Sequence, residues 1–212
     1  MDFVTHTLSG VSTARFLGKQ KNEARCIGFA VMLAGALPDG DFWLGWIRLD
    51  LYGKYHRVAT HSLIGLTLII LLSGTLAWWA GKQKWFRKLP LGFVPGAESP
   101  EDAKGASWIK CFLFSIWGAN LHFWYDWITG WGSLLPFWPI SKSGFTLGVV
   151  NSFDWVMLFL TLFFWSFLHL SLKSNDVKPL SIHKVKIGLA LYILSVVGYI
   201  SCRYLSGYNA VW

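Results

Sequence analysis

Four stretches of the chain are nearly continuous runs of apolar residues: Ser62–Ala80, Ile109–Ile128, Phe153–Leu172 and Val185–Leu205. Wound as helices, runs of roughly 20 residues cross the hydrocarbon core of a bilayer. Two shorter runs precede them, Phe3–Leu17 and Ala24–Leu37. A helix of about 14 residues reaches only about 21 Å against about 30 Å of hydrocarbon, so these read as a hairpin whose outer ends stop short of the surface. The pattern predicts an all-α, polytopic membrane protein with about six membrane segments, the first two short. Gly10/Ala14 and Ala30/Ala34 place small residues four apart, which lets helices pack closely; the spacing also arises by chance, since both types are common in membrane helices.

Charge orients these segments. Arg15, Lys19, Lys21 and Arg25, then Lys82, Lys84, Arg87, Lys88, Lys104 and Lys110, then Lys173, Lys178, Lys184 and Lys186 fall in alternate connections. That set holds fourteen of the nineteen basic residues; Arg48, Lys54, Arg57, Lys142 and Arg203 lie on the other side. The positive-inside rule then puts the larger set in the cytoplasm and both termini outside. The same asymmetry gives the net charge of +8 a membrane explanation, and no nucleic-acid partner is expected. Composition agrees with a single integral membrane domain over residues 1–212: 54% hydrophobic, 14% charged, 14 Trp and a mean hydropathy of +0.43. MDFVTHTLSG lacks the basic region of a cleavable signal peptide and is expected to belong to the mature fold.

The connection at about 81–107, with Pro90, Pro95 and Pro100, reads as an irregular cytoplasmic linker. The outer loop GWGSLLPFWP mixes turn residues with Leu134, Leu135, Phe137 and Trp138, so it is expected against the membrane or plugging a cavity. Cys26, Cys111 and Cys202 form no CxxC pair and are expected to be buried free thiols.

Four of the six His fall at the end that charge assigns to the outside. His6 lies near the start, His56 and His61 in HRVATHS, and His122 in HFWYD, four residues before Asp126. Asp39 and Asp41 join them in PDGD. His122 and Asp126 share a helical face, so they can offer imidazole and carboxylate to one metal or to two adjacent ones. Pro38 helps stop a helix and Gly40 permits a tight turn, which frees both carboxylates. His56 and His61 are five apart, about 140° around a helix, so they share a centre only if His56 is in the loop and His61 opens the helix. Thr5 and Thr60 precede histidines and could orient them by hydrogen bonds. Each residue alone has a structural reading: a buried hydrogen-bonding His, a helix-closing Asp39, an Asp126 paired with Arg57. Together they are harder to explain that way, because ionisable groups near hydrocarbon are costly and tend to be functional. His169 and His183 fall toward the other end without visible partners, and Asp154 reads as a structural first-turn acid.

TH near the start, PDGD, HRVATHS and HFWYDWITGWGSLLPFWP together resemble the YdjM-like family of inner-membrane, metal-dependent hydrolases. The likeness runs from Met1 to about Asp154. It implies a metal-dependent hydrolase in the cytoplasmic membrane. The order His, Asp, His, HxxxD is also distantly similar to zinc-dependent phospholipases C and P1-type nucleases, soluble helical enzymes with a three-zinc centre. On that pattern His6, Asp39, one of His56 or His61, His122 and Asp126 are ligands. No second HxxxE or HxxxD is present, so two metals are easier to supply than three.

The expected function is hydrolysis of a phosphoester in a lipid or lipid-linked substrate at the outer, periplasmic face. His6, Asp39, Asp41, His56, His61, His122 and Asp126 would hold one to three divalent ions. Mixed His and carboxylate donors suit Zn²⁺, or Mn²⁺, better than Mg²⁺. Arg57 would grip a phosphate and Asp41 would bridge metals or act as the base. The alternatives are a metal-stapled, non-catalytic membrane protein or a metal transporter, and the oligomeric state is left open.

Overall fold

In the computed structural model the described residues are 5–8, 21–41, 47–48, 50, 55–88, 105–129, 133–150, 154–173 and 182–207. Most of the first expected segment and positions 89–104 of the linker lie outside them. The described helices are α1 (Lys21–Ala36), α2 (Leu63–Gly81), α3 (Lys84–Lys88), α4 (Trp108–Ile128), α5 (Trp155–Lys173) and α6 (Ile182–Leu205). Residues 5–8 are helical as well, and a 3₁₀ turn, Leu37–Asp41, closes α1. No extended sheet occurs among the described residues, only isolated bridges at Leu134–Phe145 and Thr129–Val150.

The boundaries follow local chemistry. Ser62 caps α2 by accepting from the Gly65 amide, and Ser107 caps α4 by accepting from that of Lys110. Pro38, two residues past α1, cannot continue that helix. Asp154 accepts from the amides of Val156 and Met157 at 3.0 and 3.1 Å, so it is the N-cap of α5 and has the structural role expected of it.

The core lies where α1, α2 and α4 meet. Cys26, Ile27, Ala30 and Val31 of α1 bury against Ala77 and Ala80 of α2 and Cys111 of α4. Ala34 packs with Leu66 and Ala119, so the Ala30/Ala34 pair does mark a contact face. Close approach is enforced by glycine. A Cβ on Gly118 would stand 2.5 Å from the Val31 carbonyl oxygen, and one on Gly74 3.0 Å from the Phe112 Cα. Large apolar side chains instead cover the outside: Leu68, Leu72 and Trp79 on α2, Phe159 and Phe163 on α5, Leu191 and Leu194 on α6. Apolar outside and polar within is the arrangement of a chain solvated by lipid. Cys26 and Cys111 are buried free thiols as expected, but Cys202 is exposed, because it falls on the outward side of α6.

Six spans were expected; by length and composition two of the described helices qualify, Leu63–Gly81 and Ile187–Leu205. Helix α4 has 21 residues, yet it carries Lys110, Asn120, His122 and Asp126, and those groups dilute its apolar character. Helix α1 has 16 residues, about 24 Å of helix.

The segment after α4 folds back on the helix end. Leu147 donates to the Trp127 carbonyl at 2.7 Å and Val149 to that of Ile128 at 3.0 Å, satisfying carbonyls that the helix leaves open. Leu63 donates to the Pro136 carbonyl at 2.8 Å, so the same segment also ties down the start of α2.

Gly118→Ala should force α1 and α4 apart and destabilise the protein by about 1–3 kcal/mol. Gly198→Ala on α6, whose Cβ would meet nothing within 4 Å, should be neutral or stabilising by up to about 1 kcal/mol. Thermal unfolding of both variants in detergent measures the difference.

Candidate metal centre

Three elements deliver carboxylate and imidazole to one buried point. Asp39 comes from the turn that ends α1, His61 from the residue before the Ser62 cap, and His122 and Asp126 from one face of α4. His61 Nε2 lies 2.9 Å from His122 Nε2, 3.4 Å from Asp39 Oδ1 and 3.0 Å from Asp126 Oδ2. His122 Nε2 lies 3.7 Å from the same Asp39 oxygen and 3.5 Å from the same Asp126 oxygen. All four donor atoms fall within 4.8 Å of one another and all four residues are buried. The group could hold a metal ion.

The hydrogen bonds around the histidines sharpen that reading. His122 Nδ1 is 2.8 Å from the Gly35 carbonyl oxygen, which can only accept, so Nδ1 carries the proton. In neutral His122, Nε2 is then a bare lone pair. It faces Nε2 of His61, whose Nδ1 is 3.0 Å from the Thr60 hydroxyl, as the Thr60–His61 pairing led us to expect. Two imidazole nitrogens at 2.9 Å need a cation or a proton between them. The carboxylates pull the same way. Burial disfavours a charged His61, but the hydrogen bonds to Asp126 and Asp39 outweigh it and hold its pKa above the usual value. Burial would likewise raise Asp39, yet the charges of His122 and His6 and the bond to His61 hold it well below the usual carboxylate range. The two carboxylates thus favour a positive partner at His61.

Around the four donors the other expected site residues divide. His6 is fully buried, its ring centroid 4.0 Å from that of His122. Its Nε2 faces the outer carboxylate oxygens, 3.3 Å from Asp126 Oδ1 and 3.9 Å from Asp39 Oδ2, and neither ring nitrogen has a hydrogen-bond partner among the described residues. His56 and Asp41 instead pair with each other, Nδ1 to Oδ1 at 2.9 Å, on the more open side. The His56 ring stands 5.3 Å from the His61 ring.

Arg57 points inward. It is 3% exposed, and its guanidinium lies 3.0 Å from Asp126 Oδ1 and donates to the Thr129 hydroxyl at 2.7 Å. That hydroxyl in turn donates to the Asp126 carbonyl at 2.9 Å. The backbone of Arg57 has φ 63°, a left-handed conformation that a non-glycine residue adopts at some cost and that these contacts hold in place. Sequence reasoning missed Thr129 and the Gly35 carbonyl. A threonine three residues after Asp126 carries no signal of its own, and a main-chain oxygen carries none at all.

Neither a curated protein nor a solved structure matches the chain. A family model described as YdjM inner membrane protein matches residues 1–210. Because that match runs through every donor from His6 to Asp126 and takes in both candidate spans, the chain belongs to the YdjM inner membrane protein family.

Proposed function

We propose that this protein is a membrane-embedded, metal-dependent hydrolase of phosphoesters in lipid or lipid-linked substrates, acting toward the outer face of the cytoplasmic membrane. The metal rests on one observation. Five of the pairings among the Asp39, His61, His122 and Asp126 donors span 2.9–3.7 Å. Tetrahedral zinc with bonds of about 2.0–2.1 Å has donor–donor edges of about 3.3 Å. Nitrogen and oxygen donors in equal number favour Zn²⁺, with Mn²⁺ next. One ion fits best, because Arg57 already answers the outer oxygen of Asp126 with a positive charge. His6 is the additional donor available to the same carboxylates.

Zn²⁺ held there would supply Lewis acidity, lowering the pKa of water and polarising a phosphoryl oxygen. The chain's own residues orient that chemistry. Gly35 and Thr60 fix the two histidines through Nδ1, and Arg57 with Thr129 fixes Asp126. Arg57 was expected to grip substrate phosphate; its inward contact with Asp126 argues that it positions a ligand instead. Asp41 orients the His56 ring through Nδ1 on the more open side of the centre. His122 sits six residues before the end of α4, about 9 Å down the helix, a depth that favours a substrate already resident in the membrane. The likeness to zinc phospholipases C supports the reading only through ligand order, with His61 rather than His56 as the middle histidine.

One observation favours a second reading. A closed, four-donor shell with side chains no more than 11% exposed is also how structural zinc staples helices. Turnover separates the two. Purified protein should hydrolyse a phospholipid or a lipid-linked phosphate and lose that activity to chelator. No turnover across such a panel, with metal bound, would leave the staple.

Metal analysis should find about one zinc per chain, and His122→Ala should lose most of it while remaining folded. Full occupancy in that variant would make His122 structural. Arg57→Lys should weaken metal affinity by about 10–100-fold, because the guanidinium nitrogen that links Asp126 to the Thr129 hydroxyl is gone. A phosphate-gripping Arg57 would instead leave metal content intact and raise KM. The six-segment topology with both termini outside is tested in intact cells lacking Cys202. A thiol placed between Glu98 and Asp102 should resist an impermeant reagent, and one at Lys142 should react; the reverse pattern would invert the site's location.

A further inference from the structure

We propose that the segment from Ser133 to Phe145 is an interfacial shelf, with Phe137 and Ile140 inserted into the lipid leaflet beside the metal centre. Phe137 is 55% exposed and Ile140 89%. Two large apolar side chains at the tip of a turn are costly in water and at home among acyl chains. They are not on a loose loop. Leu134 and Phe145 exchange both backbone hydrogen bonds, at 3.2 and 3.1 Å, and the Phe145 ring lies 6.4 Å from Phe123 and 6.5 Å from Trp127 on α4.

The occupant of this surface follows from its continuity with α2. The exposed stripe of that helix runs through Ile64, Leu68, Leu72 and Leu76 to Trp79, one face of a candidate membrane span whose natural solvent is lipid. Its outermost member is Leu63, whose amide is bonded to the Pro136 carbonyl at 2.8 Å. Phe137 therefore extends the lipid-facing stripe past the helix end, and Ile140 carries it further. Exposed Lys142, two residues on, can reach the head groups from such a position. The shelf also joins the two ligand-bearing segments: Leu63 is two residues from His61, and Trp127 follows Asp126. Lipid drawn to the shelf lies next to the centre. The proposal depends on the chain spanning the membrane and does not depend on hydrolysis.

Single cysteines at positions 137 and 140, in a Cys202→Ser background, can carry an environment-sensitive fluorophore in proteoliposomes. Labels at exposed Arg48 and at Leu71 serve as aqueous and mid-membrane references. Both shelf labels should show blue-shifted emission, strong quenching by lipids brominated near the head group and weak quenching by iodide. Iodide quenching equal to that at Arg48, without lipid quenching, would place the shelf in water and overturn the proposal. Protection from both quenchers, with 137–137 cross-links between chains, would overturn it in favour of a second copy. Ile140 touches so little that its label should not disturb folding, which keeps the test decisive if the Phe137 variant misfolds.

Discussion

Two carboxylates, Asp39 and Asp126, are buried at the point where three elements of a lipid-solvated chain converge, and their charge must be answered there. An ionised carboxylate in so apolar a place is tolerated only when cations and donors surround it. His6, His61, His122 and Arg57 all turn toward this pair. The strained backbone of Arg57, the Ser62 cap and the fold-back of the segment after α4 all serve to bring those groups in. This polar point sits at one end of the apolar core that α1, α2 and α4 share.

That demand explains the unusual composition of α4. A helix that serves only to cross lipid can be apolar on every side, as α2 nearly is. Helix α4 carries a polar face and must pack that face against something. Gly118 allows Val31 of α1 to come within backbone contact, and the resulting register sets the Gly35 carbonyl over His122 Nδ1. Helix packing and ligand orientation are thus one event. The tautomer that leaves His122 Nε2 bare is chosen by a main-chain oxygen at the end of α1, an acceptor that no side-chain substitution can remove.

The centre is also layered by access. The four converging donors and Arg57 are buried, while the Asp41–His56 pair lies on the more open side. In the proposed hydrolase the inner layer holds the ion and the outer one meets water and substrate. In a structural site the outer pair would be a surface ion pair of little consequence. The same geometry therefore carries the metal reading further than it carries catalysis.

Much of this was legible before any fold was known. Apolar runs of about 20 residues have few options in a bilayer, where backbone groups must be satisfied within the segment, so four helices could be placed to within a few residues. His122 and Asp126 share a face because the helical repeat puts them there, and Thr60 beside His61 could be read as its hydrogen-bond partner. Other features needed the tertiary structure. Asp39 joins the cluster and Asp41 turns to His56 because of how the turn after α1 lies against the segment before α2. His61 enters the centre and His56 does not, because Ser62 caps α2 and a Cβ at Gly65 would collide with the Ala59 carbonyl, which folds that segment tightly. Arg57 faces Asp126 rather than the solvent side for the same reason. Local sequence encodes periods and caps; which oxygen of a carboxylate meets which nitrogen depends on contacts 60 or more residues apart, such as His61 with His122, and only the assembled fold decides those.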